Sequence, residues 1–218
     1  MSSSHRFIDR RDAGRQLAAA LRDQAGPGAI VVALPRGGVP IGFEIAAALH
    51  APLEILIVPK LGSPGSVECA IGAIADGLAT QPVLNEEALR YVRPPAGYLD
   101  AEMERQRQEI ARRKSVYLKG RRPLVVRDRE AILVDDGIAT GCTIRVALRA
   151  LRQAGASRLL LAVPVAAPSA LETLRDEADA LVCLHAPPHF RAVGQYYADF
   201  DQTQDEEVVR LLRESANN

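Results

Sequence analysis

The chain reads as an α/β protein, a mainly parallel sheet flanked by helices, and three observations lead there. Five short runs rich in Val, Ile, Leu and Ala (29–34, 53–58, 131–135, 158–163 and 180–184) have the length and near-continuous apolarity of strands buried on both faces. Segments with helical spacing at 40–49, 142–154 and 169–178 separate them, as right-handed crossovers between parallel strands require. The loops after the first and third runs concentrate glycine, hydroxyl groups and charge. In open sheets of this kind, ligands sit outside the carboxyl ends of the strands, where those loops lie.

Each element has its own warrant. Residues 12–25 make an amphipathic helix with Leu17 and Leu21 inward. Ala29 to Leu34 runs into Pro35-Arg-Gly-Gly-Val-Pro-Ile-Gly42, and the next helix carries Pro40 in its first turn. The strand Leu53–Val58 ends at Pro59-Lys60, and Leu61-Gly-Ser-Pro-Gly-Ser66 is a flexible segment by composition. Ile71 to Ala75 reads as an extra strand with Val83-Leu84 as its partner. An insertion follows over 85–123: Asn85 starts a short helix, Pro94-Pro95 breaks it, and Tyr98 to Leu118 forms a longer one. Met103, Ile110 and Tyr117 recur every seven residues, a seam suited to one neighbouring helix. Gly155 ends the helix at 142–154, and Ser169 with Glu172 makes a capping box for the next. Thr203-x-x-Glu206 caps a terminal helix carrying Val208, Val209, Leu211 and Leu212. The organisation is one domain over 1–218, with a core at about 26–84 and 124–184, the insertion between, and an appendage at 185–218.

Composition narrows the function classes. Lys+Arg and Asp+Glu both total 27, so there is no net field to attract nucleic acid or an anionic membrane. The cluster Arg105, Arg107, Arg112, Arg113, Lys114, Lys119, Arg121, Arg122 is interleaved with Glu102, Glu104 and Glu109. It reads as a solvated helix face that also offers a homodimer contact. No apolar run approaches a membrane span, and residues 1–10 are too polar for a signal peptide. Cys69, Cys142 and Cys183 have no paired spacing, which points to reduced thiols and a cytoplasmic location. Cys183, His185 and His189 lack a fourth ligand, and two prolines between the histidines forbid helical spacing, so they are not read as a metal site.

The chemistry lies in Ala131-Ile-Leu-Val-Asp-Asp-Gly-Ile-Ala-Thr-Gly-Cys-Thr143. A buried strand ends in adjacent carboxylates, Asp135 and Asp136. A small-residue loop with Thr140 and Thr143 leads to a helix with Ile144, Ala147, Leu148 and Leu151 on one face. Loop N–H groups and a helix N-terminus make an anion site. The residue before Thr143 is Cys142, not the lysine of a Walker loop, so the loop does not read as a nucleoside triphosphate cradle. Carboxylates beside a phosphate site suit a sugar diol, so the ligand described is a sugar with a terminal phosphate. Cys142 sits where a helix N-terminus can lower a thiol pKa, although it reads as a small loop filler. At the first loop, glycines at 37 and 38 allow close backbone approach to an anion, and Arg36 can clamp oxygens at two points.

Val134 to Thr143 resembles the phosphoribosyl pyrophosphate (PRPP) motif of type I phosphoribosyltransferases: apolar residues, two acids, a small-residue loop, then Thr-Gly-x-Thr. The resemblance implies that fold, with a C-terminal hood over the strand ends. It implies that Asp135 and Asp136 hold the ribose hydroxyls, and that Gly137, Ile138, Ala139, Thr140, Gly141, Cys142 and Thr143 hold the 5-phosphate. Arg36, Gly37 and Gly38 match the pyrophosphate loop, which in the family often contains a non-proline cis peptide. Lys60 resembles the second pyrophosphate-binding group, and the segment after it resembles a lid over PRPP. Asp135, Asp136, Lys60 and Arg36 are therefore the catalytic candidates. Mg²⁺ is the implied cofactor, with Asp135 and Asp136 near it through water. The partners are PRPP and a small nitrogen acceptor, with purine or pyrimidine salvage as the setting. Phe190, Tyr196, Tyr197 and Phe200 are candidates for an aromatic wall on the acceptor, or for pins that hold the tail to the domain. The motifs identify the donor and leave the acceptor open. A PRPP-binding regulator without turnover, or a hydrolase with water as acceptor, stands beside the transferase.

Overall fold

The computed structural model describes residues 6–75, 82–119 and 125–216, without the side chains of 66–70, 83 and 87. Five strands form a fully parallel sheet: β1 (Ile30–Ala33), β2 (Leu53–Ile55), β6 (Glu130–Val134), β7 (Arg158–Val165) and β8 (Ala180–His185), in the order β2-β1-β6-β7-β8. Register is clean at the centre, with Val31 opposite Ile132 and Ala33 opposite Val134.

The two-residue period of the strands sorts the core into two layers. Val31, Ala33, Ile132, Val134, Leu160 and Ala162 face one side. They pack with Leu17 and Leu21 of α1 (Arg10–Leu21), Ile41 and Ile45 of α2 (Gly38–Leu49), and Val208 and Leu211 of α7 (Asp205–Ser215). Ile30, Val32, Ala131, Leu133, Leu159 and Leu161 face the other. They meet Ile144, Ala147, Leu148 and Leu151 of α5 (Cys142–Gln153) and Leu174 of α6 (Pro168–Leu174). Strands covered on both sides explain why these runs are apolar without alternation.

A second, three-stranded antiparallel sheet of β3 (Lys60–Ser63), β4 (Ser66–Ala73) and β5 (Val83–Leu84) stands beside the main one. The expected pairing of 71–75 with 83–84 is present, as Gly72 opposite Leu84 and Ala73 opposite Val83. The segment at 61–66, flexible by composition, forms a hairpin, with a turn at Pro64-Gly65 and with Leu61 and Ser63 buried. Lys60 accordingly opens β3 and does not close the preceding strand, which leaves its ladder at Ile55. Composition alone could not show that this hairpin rests on a helix of the insertion.

That insertion holds α3 (Glu86–Val92), capped by the Asn85 carboxamide, which accepts from Ala88 N–H at 3.0 Å, and α4 (Tyr98–Tyr117). Ile110 and Tyr117 are buried and Met103 is half-buried, as the seven-residue spacing requires. The seam rests on β3 as well as on α7, so it is not a helix–helix seam alone. Arg105, Arg107, Arg112 and Arg113 each pair with a glutamate of the same helix. Arg121 and Arg122 lie outside the described residues.

Two caps differ from the sequence expectation. α6 starts at Pro168 after Ala167, with no side-chain cap, so Ser169 and Glu172 form no capping box; the proline at the first position already removes one orphan N–H. α7 starts at Asp205 after Gln204, again without a side-chain cap, and Thr203 is buried instead. Three acids in its first turn suit the helix dipole without one. α1 begins at Arg10, two residues earlier than its apolar spacing suggests, because the Asp9 carboxylate accepts from Asp12 N–H at 2.7 Å. α1 ends at Leu21 and α6 at Leu174, each four residues short of expectation.

Candidate active site

Strand order reverses between β1 and β6, and both sequence loops leave the sheet there. The backbones are already in contact, with Leu34 N–H donating to Val134 C=O at 2.9 Å. The β1 chain continues through a cis Pro35–Arg36 peptide into Gly37 and Gly38, which open α2. A Cβ on Gly38 would lie 2.6 Å from the Val134 carbonyl oxygen, and one on Gly37 would lie 2.0 Å from Asp136 Oδ2. Only glycines allow these loops to close on each other.

On the β6 side, Asp136 N–H donates to Asp135 Oδ1 at 2.9 Å. Burial raises the Asp135 carboxyl well above its usual range, and the neighbouring Asp136 adds to the rise. The backbone N–H of Asp136 and the charges of Lys60 and Arg10 oppose it. Burial raises Asp136 as well, against the pull of Arg10. Lys60, at the exposed start of β3, is thus near enough to act on Asp135, and it acts on Cys142 too.

The loop between the acids and α5 is docked onto the extension of β7. Ile138 N–H donates to Val165 C=O and Ala167 N–H to Ile138 C=O, both at 2.9 Å. Ala139 and Thr140 are exposed at the turn, and Gly141, at φ 76°, caps the helix that Cys142 and Thr143 begin. The first N–H groups of α5 therefore open onto this loop. Burial pushes the Cys142 thiol up, against the charges of Arg145 and Lys60, which suits a loop filler.

Arg36 reaches the other way. Its Nη1 is 3.4 Å from Asp205 Oδ1, at the start of α7, and the Tyr117 hydroxyl donates to the same oxygen at 2.6 Å. Burial and that carboxylate push Tyr117 up to about 12.

Sequence reasoning missed Arg10 and Asp205, and it named Tyr197 only as an aromatic, without its hydroxyl contact. Arg10 Nε and Nη2 each sit 2.9 Å from Asp136 Oδ2, and the Tyr197 hydroxyl donates to the Asp136 carbonyl at 2.6 Å. These partners lie far from 136 in sequence, and the polar N-terminus offered no pattern to single out one arginine. Of the hood aromatics, Tyr197 is a pin: it is 3% exposed and packs on Phe7 and Phe200 with centroids 5.4 and 4.9 Å apart. Phe190 and Tyr196 stack nearly parallel at 5.8 Å. Val193, between them, packs on Gly137 of the acid loop.

The donor set suits Mg²⁺. Two adjacent carboxylates, both raised by burial and Asp135 further by the charge of Asp136, would be relieved by a divalent cation. Among the described residues no three His, Cys, Asp or Glu side chains form a cage. Asp135 and Asp136 would hold the ion together with ligand oxygens and water, and it would supply charge neutralisation to a phosphate-bearing ligand.

Known proteins resemble this chain in sequence and fold. The chain is 44% identical over 207 residues to a Mycobacterium tuberculosis protein (strain ATCC 25618 / H37Rv) provisionally named a phosphoribosyl transferase. The match covers 94% of this chain and 46% of the relative, so the chain spans about half the length of the curated relatives it matches. It is 41% identical to the protein TT1426 of Thermus thermophilus, whose crystal structure superposes with a TM-score of 0.80 over 96% of this chain and 98% of that one. A hypothetical protein from Neisseria gonorrhoeae, 13% identical, shares the fold with a TM-score of 0.51 over 96% of this chain and 94% of its own. The model of the phosphoribosyl transferase domain matches residues 9–201, and the chain belongs to that family.

Proposed function

We propose that the protein is a PRPP-dependent phosphoribosyltransferase that moves ribose 5-phosphate to a nitrogen acceptor with release of pyrophosphate. The observation that carries this reading is the meeting, at the switch point of the sheet, of the Asp135–Asp136 pair with the Arg36-Gly37-Gly38 loop. Asp135 and Asp136 accept from the ribose hydroxyls. The N–H groups and hydroxyls of Gly137 to Thr143 take the 5-phosphate, and Arg36, Gly37, Gly38 and Lys60 take the pyrophosphate. Transfer is displacement at the anomeric carbon. The bond to pyrophosphate breaks with its electron pair leaving on the phosphate oxygen, the nitrogen lone pair closes from the opposite face, and configuration inverts. The protein's task is to align the two groups and to meet the charge on the departing phosphate with fixed donors. The acceptor is a nucleobase, held near Phe190, Val193 and Tyr196, and the setting is nucleotide salvage in the cytoplasm. The chain acts as one phosphoribosyltransferase unit, with α4 as the surface for a homodimer.

The test is mass spectrometry of reactions with PRPP, Mg²⁺ and a panel of purines, pyrimidines and simple amines. A new ribonucleotide mass with pyrophosphate, lost in Asp136→Asn, is the expected result. PRPP that binds but yields no product across the panel would replace turnover with a regulatory role. Ribose 5-phosphate formed without an acceptor would make the protein a hydrolase.

A further inference from the structure

Arg10 occupies a place that the reaction as described does not use. Its position is set twice over. The Asp9 cap starts α1 one residue before it, and residues 7–8 pair with the hood: Phe7 N–H donates to Tyr196 C=O at 2.8 Å, Ala198 N–H to Phe7 C=O at 2.8 Å, and Asp199 N–H to Ile8 C=O at 2.9 Å. From that junction the guanidinium spends its donors in two directions. Nε and Nη2 both go to Asp136 Oδ2, and Nη1 donates to the Asp201 carbonyl at 2.7 Å. Its central carbon lies 4.0 Å from the centroid of the Phe200 ring, within cation–π range. Only 11% of the Arg10 side chain and 17% of that of Asp136 are exposed, so their ion pair is largely shielded from water.

The consequence falls on Asp136. Oδ2 is filled by two donors from Arg10 and lies where any side chain on Gly37 would intrude, and the residue's carbonyl is held by Tyr197. Among the described residues no other residue donates to Oδ1, and only the backbone N–H of Asp136 itself bears on the carboxylate, so Oδ1 is the oxygen left for a ligand. We propose that Arg10 is a positioning residue for the ribose site: it fixes which oxygen Asp136 offers and makes that orientation depend on the hood segment 196–201. An acceptor that moves Phe200 or Asp201 would thereby be felt at the sugar before any bond changes. This deepens the reading of Asp136 as a ribose anchor and rests on it.

The test is a double-mutant cycle in PRPP affinity, by calorimetry in Mg²⁺, with Asp136→Asn, Arg10→Met and the pair combined. Melting curves report folding. Arg10→Met weakens PRPP about 10- to 100-fold, the range for residues that orient a ligand-holding group. Arg10→Lys recovers part of the loss, because it keeps the charge without the two-point fork. The double variant binds no worse than Asp136→Asn alone. A purely structural role would instead lower melting temperature and leave the losses additive, and additivity overturns the proposal. So does Arg10→Met with wild-type affinity. If Arg10→Met does not fold, Arg10→Lys and Phe200→Leu carry the test, and unchanged affinity in both counts against it. A wild type that binds no PRPP, or Asp136→Asn with undiminished affinity, removes the ribose-anchor reading itself.

Discussion

Asp135 is costly to the fold when ionised, and the cost has a pH signature. Its folded pKa is raised, first by burial and then by Asp136, so between the unfolded value and the raised one the native state holds the extra proton. Stability therefore falls as pH climbs through that window, beginning at about pH 4, where the unfolded carboxyl titrates. Asp135→Asn cannot ionise and escapes the decline. Thermal melts should show the variant gaining on the wild type as pH rises above about 4. A constant difference between the two at every pH would show that Asp135 is not held above its usual range. In the proposed reaction a diol and a cation at Asp135 would offset the penalty that burial places on the free carboxylate.

At the scale of elements, the joint between α4 and the β3–β4 hairpin places Lys60 beside the acids. Glu102 is 3% exposed, and its carboxylate accepts from Gly62 N–H at 3.2 Å, from Gln106 Nε2 at 2.9 Å and from Arg105. Tyr98 adds a hydroxyl to Gly62 C=O at 3.0 Å. Glu102→Ala strands the Gly62 N–H and should cost about 1–3 kcal/mol in urea unfolding, whereas Glu102→Gln keeps an acceptor and costs less. Equal stability of all three proteins would mean that solvent already serves that N–H. This joint was illegible beforehand, because Gly-Ser-Pro-Gly composition describes the turn and says nothing of a buried carboxylate forty residues away. The central strands were legible for the opposite reason: Ile30–Ala33 and Ala131–Val134 are covered on both faces, so their apolarity is local information. Caps fell between. Asn85 behaved as its residue type suggests, but Ser169 and Thr203 did not, because a proline and an acidic first turn already served those helix starts.

Across the whole molecule, the site is assembled from chain far apart in sequence. The PRPP-type loop and the two glycines could be read because each is contiguous and sits at a strand end. Arg10, Asp205 and the hydroxyl contact of Tyr197 could not, because their partners are 126, 169 and 61 residues away. Those long-range contacts make the N-terminal segment and the hood one unit, joined by backbone pairing at 7–8 with 196–199 and tied through Arg10 to Asp136. A ligand on Asp136 should then be sensed by that unit as a whole. In hydrogen exchange, Mg²⁺ and PRPP should slow the Phe7, Ala198 and Asp199 amides together with those of the 137–143 loop, since ordering Asp136 removes openings that would break the bridge. In Arg10→Met the loop amides should still respond while 198 and 199 no longer do. Protection confined to the loop in the wild type would mean that hood and ribose site move independently. The hood would then contribute packing to this fold and no information to the sugar.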